Sequence, residues 1–489
     1  MKRVNSLLLI FVFALFASQC FAQSASNSAT EKSDKSRQYL EMMGGVFDFV
    51  QRNYVDEVEP HVLYEGALKG MLEALKDPYT VYLDKSSFRS LSDTTSGSFG
   101  GVGLQISKPA ETSPEKPAFV EVSSPVEDTP GFKAGILAGD LIISINGTDT
   151  STITMEQVLD MLRGKVGEKV DLVIRRGKNM EFPVSLVRAL IEVPVVKYGM
   201  IEGTKIGYMR LIEFTPHTVE RTQEALDSFT KNNATGLIID LRNNPGGLIT
   251  SAADIADKFI DSGPIVTTKS RLSFENSVYT ATARKTRIRN MPIVVLINKG
   301  SASASEIVSG ALKDNHLAYL VGQRTYGKGS VQQVLPLSPS DGIKITMARY
   351  YTPSDVNIDK IGIPPDREVL FPVLSEEGEK QYLELYKSTE IADFVDGRSN
   401  LTEKQISDYA KKLKKKYSEI DEASLRKLVR NEVNKTKGTM LYDLDYDIQL
   451  NEAISILQKE NFTNLIKNTK TLKELQDLEI LKEEKNEKK

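Results

Sequence analysis

Ser303 and Lys328 stand in one stretch, GSASASEIVSGALKDNHLAYLVGQRTYGKGSVQ over residues 300–332, and each has surroundings that suit a reactive group. A serine hydroxyl is a weak nucleophile until a positioned base takes its proton. A lysine serves as that base only as the neutral amine, which near neutral pH needs about 4 kcal/mol of selective disfavour for the ammonium. Burial in an apolar pocket supplies such a term, and the glycines on either side of Lys328 let its stem be packed closely. If residues 328–332 are extended, the period of two puts Lys328, Ser330 and Gln332 on one face, where the Gln332 amide can orient the amine.

The flanking pattern places these groups. The run PIVVLIN, 292–298, is short, apolar and β-branched and predicts a buried strand, while 303–314 has helical spacing in Ile307, Val308, Ala311 and Leu312. Ser303 thus falls at the mouth of a helix whose unpaired first-turn N–H groups, that of Ala304 among them, face whatever the hydroxyl attacks. LAYLVG, 317–322, predicts a second strand. Ser303-Ala304-Ser305-Glu306 also fits a helix-capping box, a role compatible with reactivity. The Gly-Lys-Gly turn lacks the GxxxxGK[ST] spacing of a phosphate loop. Upstream, Asn243-Asn244-Pro245-Gly246-Gly247 precedes a helical run expected at 248–259. Its glycines let the backbone approach a ligand while the helix start aims amides outward; by itself the run reads as a turn.

GSASASEI, GALKDN, VGQRTYGKGSVQ and IIDLRNNPGG together resemble the carboxyl-terminal processing (tail-specific) serine peptidases. Carried over position by position, the resemblance implies Ser303 as nucleophile, Lys328 as general base and Gln332 as the residue that orients the lysine. It also implies an oxyanion hole from Ala304 with Gly246 or Gly247, a choice the residues leave open. A crotonase/ClpP-like α/β peptidase core follows from the same resemblance and fits the alternating strand and helix signals over 191–370. The short runs GGVGLQIS, AFVEVSS, GDLIISING, VDLVIRR and EFPVSLVR, with one amphipathic helix at 154–163, resemble a PDZ domain over 96–190. There Gly101, Val102, Gly103 and Leu104 would form the loop whose N–H groups take a peptide's terminal carboxylate, and 104–107 the strand to which the peptide adds. Arg163 is expected as an exposed helix-end side chain, with sensing of peptide occupancy as the competing role. YVDEVEP and LYEGALKGMLEALKDPYTVYLD resemble the family's N-terminal segment, which pairs subunits in some members. A homodimer and an activating partner protein are therefore both open.

The rest of the chain frames this multidomain α/β expectation, since its 489 residues exceed one core. Lys2 and Arg3, an apolar run to Ala17 and a small-residue site at Ala22 predict a secretory signal over 1–22, too short to span a bilayer comfortably. Cleavage there removes Cys20, the sole cysteine, and leaves an exported, periplasmic or cell-envelope chain. Lipoprotein anchoring through Cys20 competes, although Gln19 departs from the small residue usual before such a cysteine. A polar linker at 23–38, a helical N-terminal region at 39–95, a helical C-terminal region at 371–466 and a charged, frayed tail at 467–489 complete the division.

A formal net charge of −3 gives no argument for nucleic acid. No cofactor is called for: no cluster of histidine, cysteine and carboxylate has metal-ligand spacing, and Asp443, Asp445 and Asp447 read as helix caps rather than a calcium site. His61 falls in a helical hairpin and His217 in a turn, so His316 alone is near Ser303 in sequence, a minor alternative base. Together these features predict an exported serine endopeptidase that recognises free protein C-termini through its PDZ domain and cuts through an acyl-enzyme. A catalytically idle peptide-binding scaffold and a crotonase-like acyl-group enzyme are the competing classes.

Overall fold

The computed structural model describes residues 35–109, 118–126, 128–177, 180–372, 374–398, 401–434 and 440–487. The expected signal at 1–22, Cys20 and most of the linker lie outside the described residues. The chain forms two compact units. One holds the chain through Leu83 with Val334–Leu337 and Asp341–Ile345; the other holds Asp84–Gln333, Ser338–Ser340 and the chain from Thr346.

In the first unit, apolar residues at helical steps give a helix over 35–53 and a second over Pro60–Glu73. Pro60 opens the latter, where its fixed φ is preorganised and its missing N–H costs nothing. Val81–Leu83 runs antiparallel to 342–344, and the Tyr82 hydroxyl donates to Asp341 at 2.7 Å. Val46 is 62% and Phe49 67% exposed, and Tyr39, Met42, Met43, Val46, Leu63 and Ala67 line a groove of about 490 Å³.

The second unit contains an antiparallel sheet in the order Leu104–Ser107, Val120–Pro125, Leu141–Ile145, Lys169–Arg176, Met180–Val187. Its inward residues, Val120, Ile142 and Ile174 among them, pack with Val158 of the helix Met155–Leu162. Thr154 and Gln157 close a capping box at that helix start. Leu104–Ser107 ends the sheet, so among the described strands it pairs on one side only, the geometry that β-addition uses. Arg163 is not the exposed side chain expected. It pairs with Asp93 at 2.5 Å and lies over the Phe99 ring, because the helix Lys85–Ser96 and the strand Ser98–Gly101 come to it from far upstream.

A mostly parallel sheet orders as Val196–Met200, Ile206–Leu211, Gly236–Asp240, Ile293–Ile297, Tyr319–Gly322, Arg367–Glu368, antiparallel only at its first strand. Every residue of Gly236–Asp240 and Ile293–Ile297 is buried. These strands are covered on both faces, which is why they read as unbroken apolar runs rather than as alternation. The helices Pro216–Lys231, Ile249–Ala256 and Ala304–Asp314 cover one face, and Ile448–Lys459 the other. Pro216 opens its helix early, so His217 lies in a first helical turn rather than in the loop expected.

Helices Glu376–Lys387, Glu390–Val395, Glu403–Lys416 and Glu422–Asn434 bury a core of their own around Leu385, Ile406, Leu413, Leu425 and Val429. The expected capping box of Thr402 and Gln405 is formed. The tail corrects expectation: Leu472–Glu487 is helical, and Leu472, 4% exposed, joins the main core while its N–H donates to Asp314 at 2.7 Å. Leu472 together with the backbone bonds from Leu472 to Asp314 and from Lys473 to Ser354 docks a segment whose Lys/Glu composition reads as solvated. Among the described residues no helix is long and apolar enough to cross a membrane.

Candidate active site

Ser303 joins the strand Ile293–Ile297 to the helix Ala304–Asp314 with φ 54° and ψ −113°. A non-glycine residue held there stores about 1–3 kcal/mol of strain, as at turns that thrust a nucleophile out of a sheet. The strain is held by hydrogen bonds on every side. The Ser303 carbonyl accepts the Glu306 and Ile307 N–H groups at 2.8 and 3.0 Å, and the Ser303 N–H donates to Glu306 Oε2 at 2.8 Å, the reach-back half of the capping box. Ser301 Oγ donates to the Leu241 carbonyl at 2.8 Å.

The Asn-Asn-Pro-Gly-Gly turn is stitched to this one. The buried Asn244 accepts the Ala302 N–H at 3.0 Å and the Ser305 hydroxyl at 2.9 Å on its carbonyl. Its side chain donates to the Leu211 carbonyl and accepts the Gly246 N–H, both at 2.9 Å. Gly246 and Gly247 have φ of +109° and +136°. A Cβ on Gly246 would stand 2.8 Å from Ser303 Cβ and 3.0 Å from the Ala304 nitrogen, and one on Gly247 2.2 Å from the Phe214 carbonyl oxygen. Only glycine fits either place. Asn244 has taken the Gly246 N–H, whereas the Gly247 and Ala304 N–H groups make no hydrogen bond among the described residues.

Lys328 sits in the loop between Tyr319–Gly322 and Ser330–Pro336. Two side chains that sequence reasoning did not assign to the site fix this loop against the serine turn. Glu306 is 0% exposed. Besides the Ser303 N–H, its carboxylate accepts the Lys328 N–H on Oε2 at 2.9 Å, and on Oε1 the Gly327 N–H at 2.7 Å and the Thr325 hydroxyl at 2.6 Å. Burial pushes the Glu306 carboxyl above its ordinary pKa, and these donors oppose that rise by favouring the anion. The second is Tyr350, also buried, whose hydroxyl faces the Lys328 carbonyl and the Ser303 carbonyl, the latter at 3.2 Å. Glu306 was legible only as a helix cap; for Tyr350, distant in sequence, there was no signal.

Gln332 and Ser330 share a strand face as the period of two requires, and the Gln332 amide donates to Ser330 Oγ at 2.9 Å and Thr346 Oγ1 at 3.2 Å. His316 does not approach Ser303. It follows the far end of an 11-residue helix, about 16 Å away at 1.5 Å per residue, and its Nδ1 lies 2.7 Å from Thr469 Oγ1. In the loop before Leu104–Ser107 of the antiparallel sheet, Gly103 has φ +74° and a Cβ there would stand 2.2 Å from Thr129 Cβ. The Val102 and Gly103 carbonyls accept the Gly131 and Val126 N–H groups at 2.8 and 2.9 Å, which fixes the loop Gly101-Val102-Gly103-Leu104 ahead of the edge strand.

Comparison with known proteins gives three family matches: Peptidase family S41 over residues 205–369, a PDZ domain over 121–176 and the Activating protease CtpB N-terminal domain over 10–87. The chain is 34% identical over 463 residues to the Carboxy-terminal-processing protease of Bartonella bacilliformis, an alignment covering 92% of this chain and 96% of that one. The chain belongs to the carboxy-terminal processing peptidases of family S41. This peptidase is of the serine type, with a PDZ domain, an S41 α/β core and helical regions at both ends. CtpB of Bacillus subtilis is 33% identical over 348 residues, 70% of each chain. Among solved structures, the photosystem II D1 C-terminal processing protease is 31% identical with a TM-score of 0.40, covering 68% of this chain and 93% of that one.

Proposed function

We propose that the peptidase is exported and cuts protein substrates near their free C-termini with a Ser303–Lys328 dyad. Lys328, as the neutral amine oriented by Gln332 of the strand that follows it, takes the Ser303 hydroxyl proton while Oγ attacks the scissile carbonyl. The Gly247 and Ala304 N–H groups receive the oxyanion, a term worth about 10²–10³ in rate per donor. The same proton passes to the leaving amine, an acyl-enzyme remains, and water deprotonated by Lys328 releases it. Upstream, the loop at Gly101, Val102, Gly103 and Leu104 takes the substrate's terminal carboxylate, and the peptide adds as a strand beside Leu104–Ser107.

The observation that carries this reading is that one buried carboxylate, Glu306, holds the backbone of both Ser303 and Lys328. A fluorophosphonate, which esterifies activated serines, tests it. Mass spectrometry should place the adduct on the tryptic peptide containing Ser303, and labelling should stop digestion of an unfolded protein with an apolar C-terminus. Digestion that survives full labelling of Ser303 refutes the assignment, and a chain that neither labels nor digests, alone or with an activating partner protein, is a scaffold.

A second copy of the chain is the partner proposed for the exposed apolar face around Val46 and Phe49, since covering apolar surface yields about 25 cal/mol per Å². Sedimentation should show a dimer that Val46→Glu converts to monomer. A monomeric wild type removes this partner.

A further inference from the structure

A cleft of about 750 Å³ opens between the outer face of the PDZ sheet and the peptidase core, lined by Gln105, Ser124 and Phe132 on one side and Arg210, Arg242 and Asp447 on the other. Arg210 and Arg242 lie at the carboxyl ends of neighbouring parallel strands, the edge where open α/β sheets bind their ligands. The chain passes from Arg242 directly into Asn243 and Asn244, and Asn244 is bonded to Ala302, beside Ser303. The cleft and the serine turn therefore share one strand end.

The two arginines differ in one respect. Arg242 is saturated: its guanidinium holds both oxygens of Asp240, at 2.6 and 2.9 Å, and both oxygens of Asp447, at 2.6 and 2.8 Å. Asp443, also on the wall, is within 3.7 Å of Arg430. Arg210 pairs with no carboxylate among the described residues, and its Nε is buried without a hydrogen-bond partner. Arg210 is half-buried, and its shielded Nε–H costs free energy while it lacks an acceptor; a planar carboxylate is the acceptor that suits a guanidinium best. The PDZ side of the cleft adds what a peptide needs: the Gln105 amide, the Ser124 hydroxyl and the Phe132 ring, which is 46% exposed.

We propose that this cleft is a carboxylate subsite for the peptide being cut, with Arg210 binding an Asp or Glu side chain of the chain whose terminus the Gly101–Leu104 loop holds. The proposal rests on the peptidase reading, but its test does not use turnover. Fluorescence anisotropy on Ser303→Ala protein would compare labelled peptides carrying Glu or Gln at one position, each with a free or an amidated C-terminus. The Glu form should bind about tenfold more tightly, the usual size of one charge-assisted hydrogen bond. That preference should vanish in Ser303→Ala/Arg210→Gln and persist in part in Ser303→Ala/Arg210→Lys, with thermal melts confirming that each is folded. The loss should be confined to the Glu/Gln pair, with the free/amide preference kept because the Gly101–Leu104 loop takes the terminus; loss confined to the free/amide pair overturns the side-chain assignment. Equal preferences with and without Arg210, no preference in the parent, or no binding by any peptide overturns the subsite. Wild-type cleavage of the Gln peptide with a free C-terminus, measured separately, reports on the peptidase reading alone.

Discussion

Ser303→Ala and Lys328→Ala are each expected to lower kcat/KM for a peptide amide by at least about 1,000-fold, and the double variant to be no worse than either alone. In the proposed mechanism the serine change removes the atom that bonds to substrate, and the lysine change removes the base without which the hydroxyl stays protonated. Two groups that serve one proton transfer cannot be lost twice. Lys328→Arg should be as inactive as the alanine variant, because a guanidinium does not give up its proton near neutral pH. The loop should persist in these variants, since Lys328 is held through its backbone, by its N–H to Glu306 and its carbonyl facing Tyr350. Initial-rate measurements on a quenched peptide beside thermal melts separate lost chemistry from lost fold. A Lys328→Ala enzyme that keeps its rate would show that the base lies elsewhere.

Glu306→Ala is expected to cost about 3–5 kcal/mol of stability and about 100-fold in kcat, with KM changed far less. The carboxylate is the shared acceptor for three buried N–H groups, of Ser303, Gly327 and Lys328, and for the Thr325 hydroxyl. Its removal leaves all four donors facing one another across a cavity, and the strained Ser303 turn loses the bond that holds its amide. Glu306→Gln should fall between wild type and alanine for a reason that can be located. An amide nitrogen at the Oε2 position would confront two N–H groups, whereas at Oε1 it confronts only the Gly327 N–H, because the Thr325 hydroxyl can turn to accept. The glutamine variant thus loses one bond and keeps the Ser303 and Lys328 contacts. Separate kcat and KM values together with melting curves decide the matter. A Glu306→Ala protein that melts early but turns over normally below its melting point would reduce Glu306 to a structural residue.

The sequence by itself determined the parts of the site that are local. An unbroken apolar run marked the buried strand at Ile293–Ile297, helical spacing marked Ala304–Asp314, and a small-residue turn between strand and helix marked Ser303. These features are legible because period and turn chemistry are properties of a few consecutive residues. The tertiary structure alone decided which donors meet which acceptors. Glu306 read as a cap, and only the return of the chain through Tyr319–Gly322 brings Thr325, Gly327 and Lys328 onto its carboxylate. Asn244 takes the Gly246 N–H and so distinguishes two adjacent glycines of identical composition. Tyr350, Arg163 and Leu472 found partners that no spacing could announce, because the strands and helices meeting them arrive from distant parts of the chain. A hydrogen bond is specified by the positions of both its ends in space, and the sequence near one end contains only half of that information.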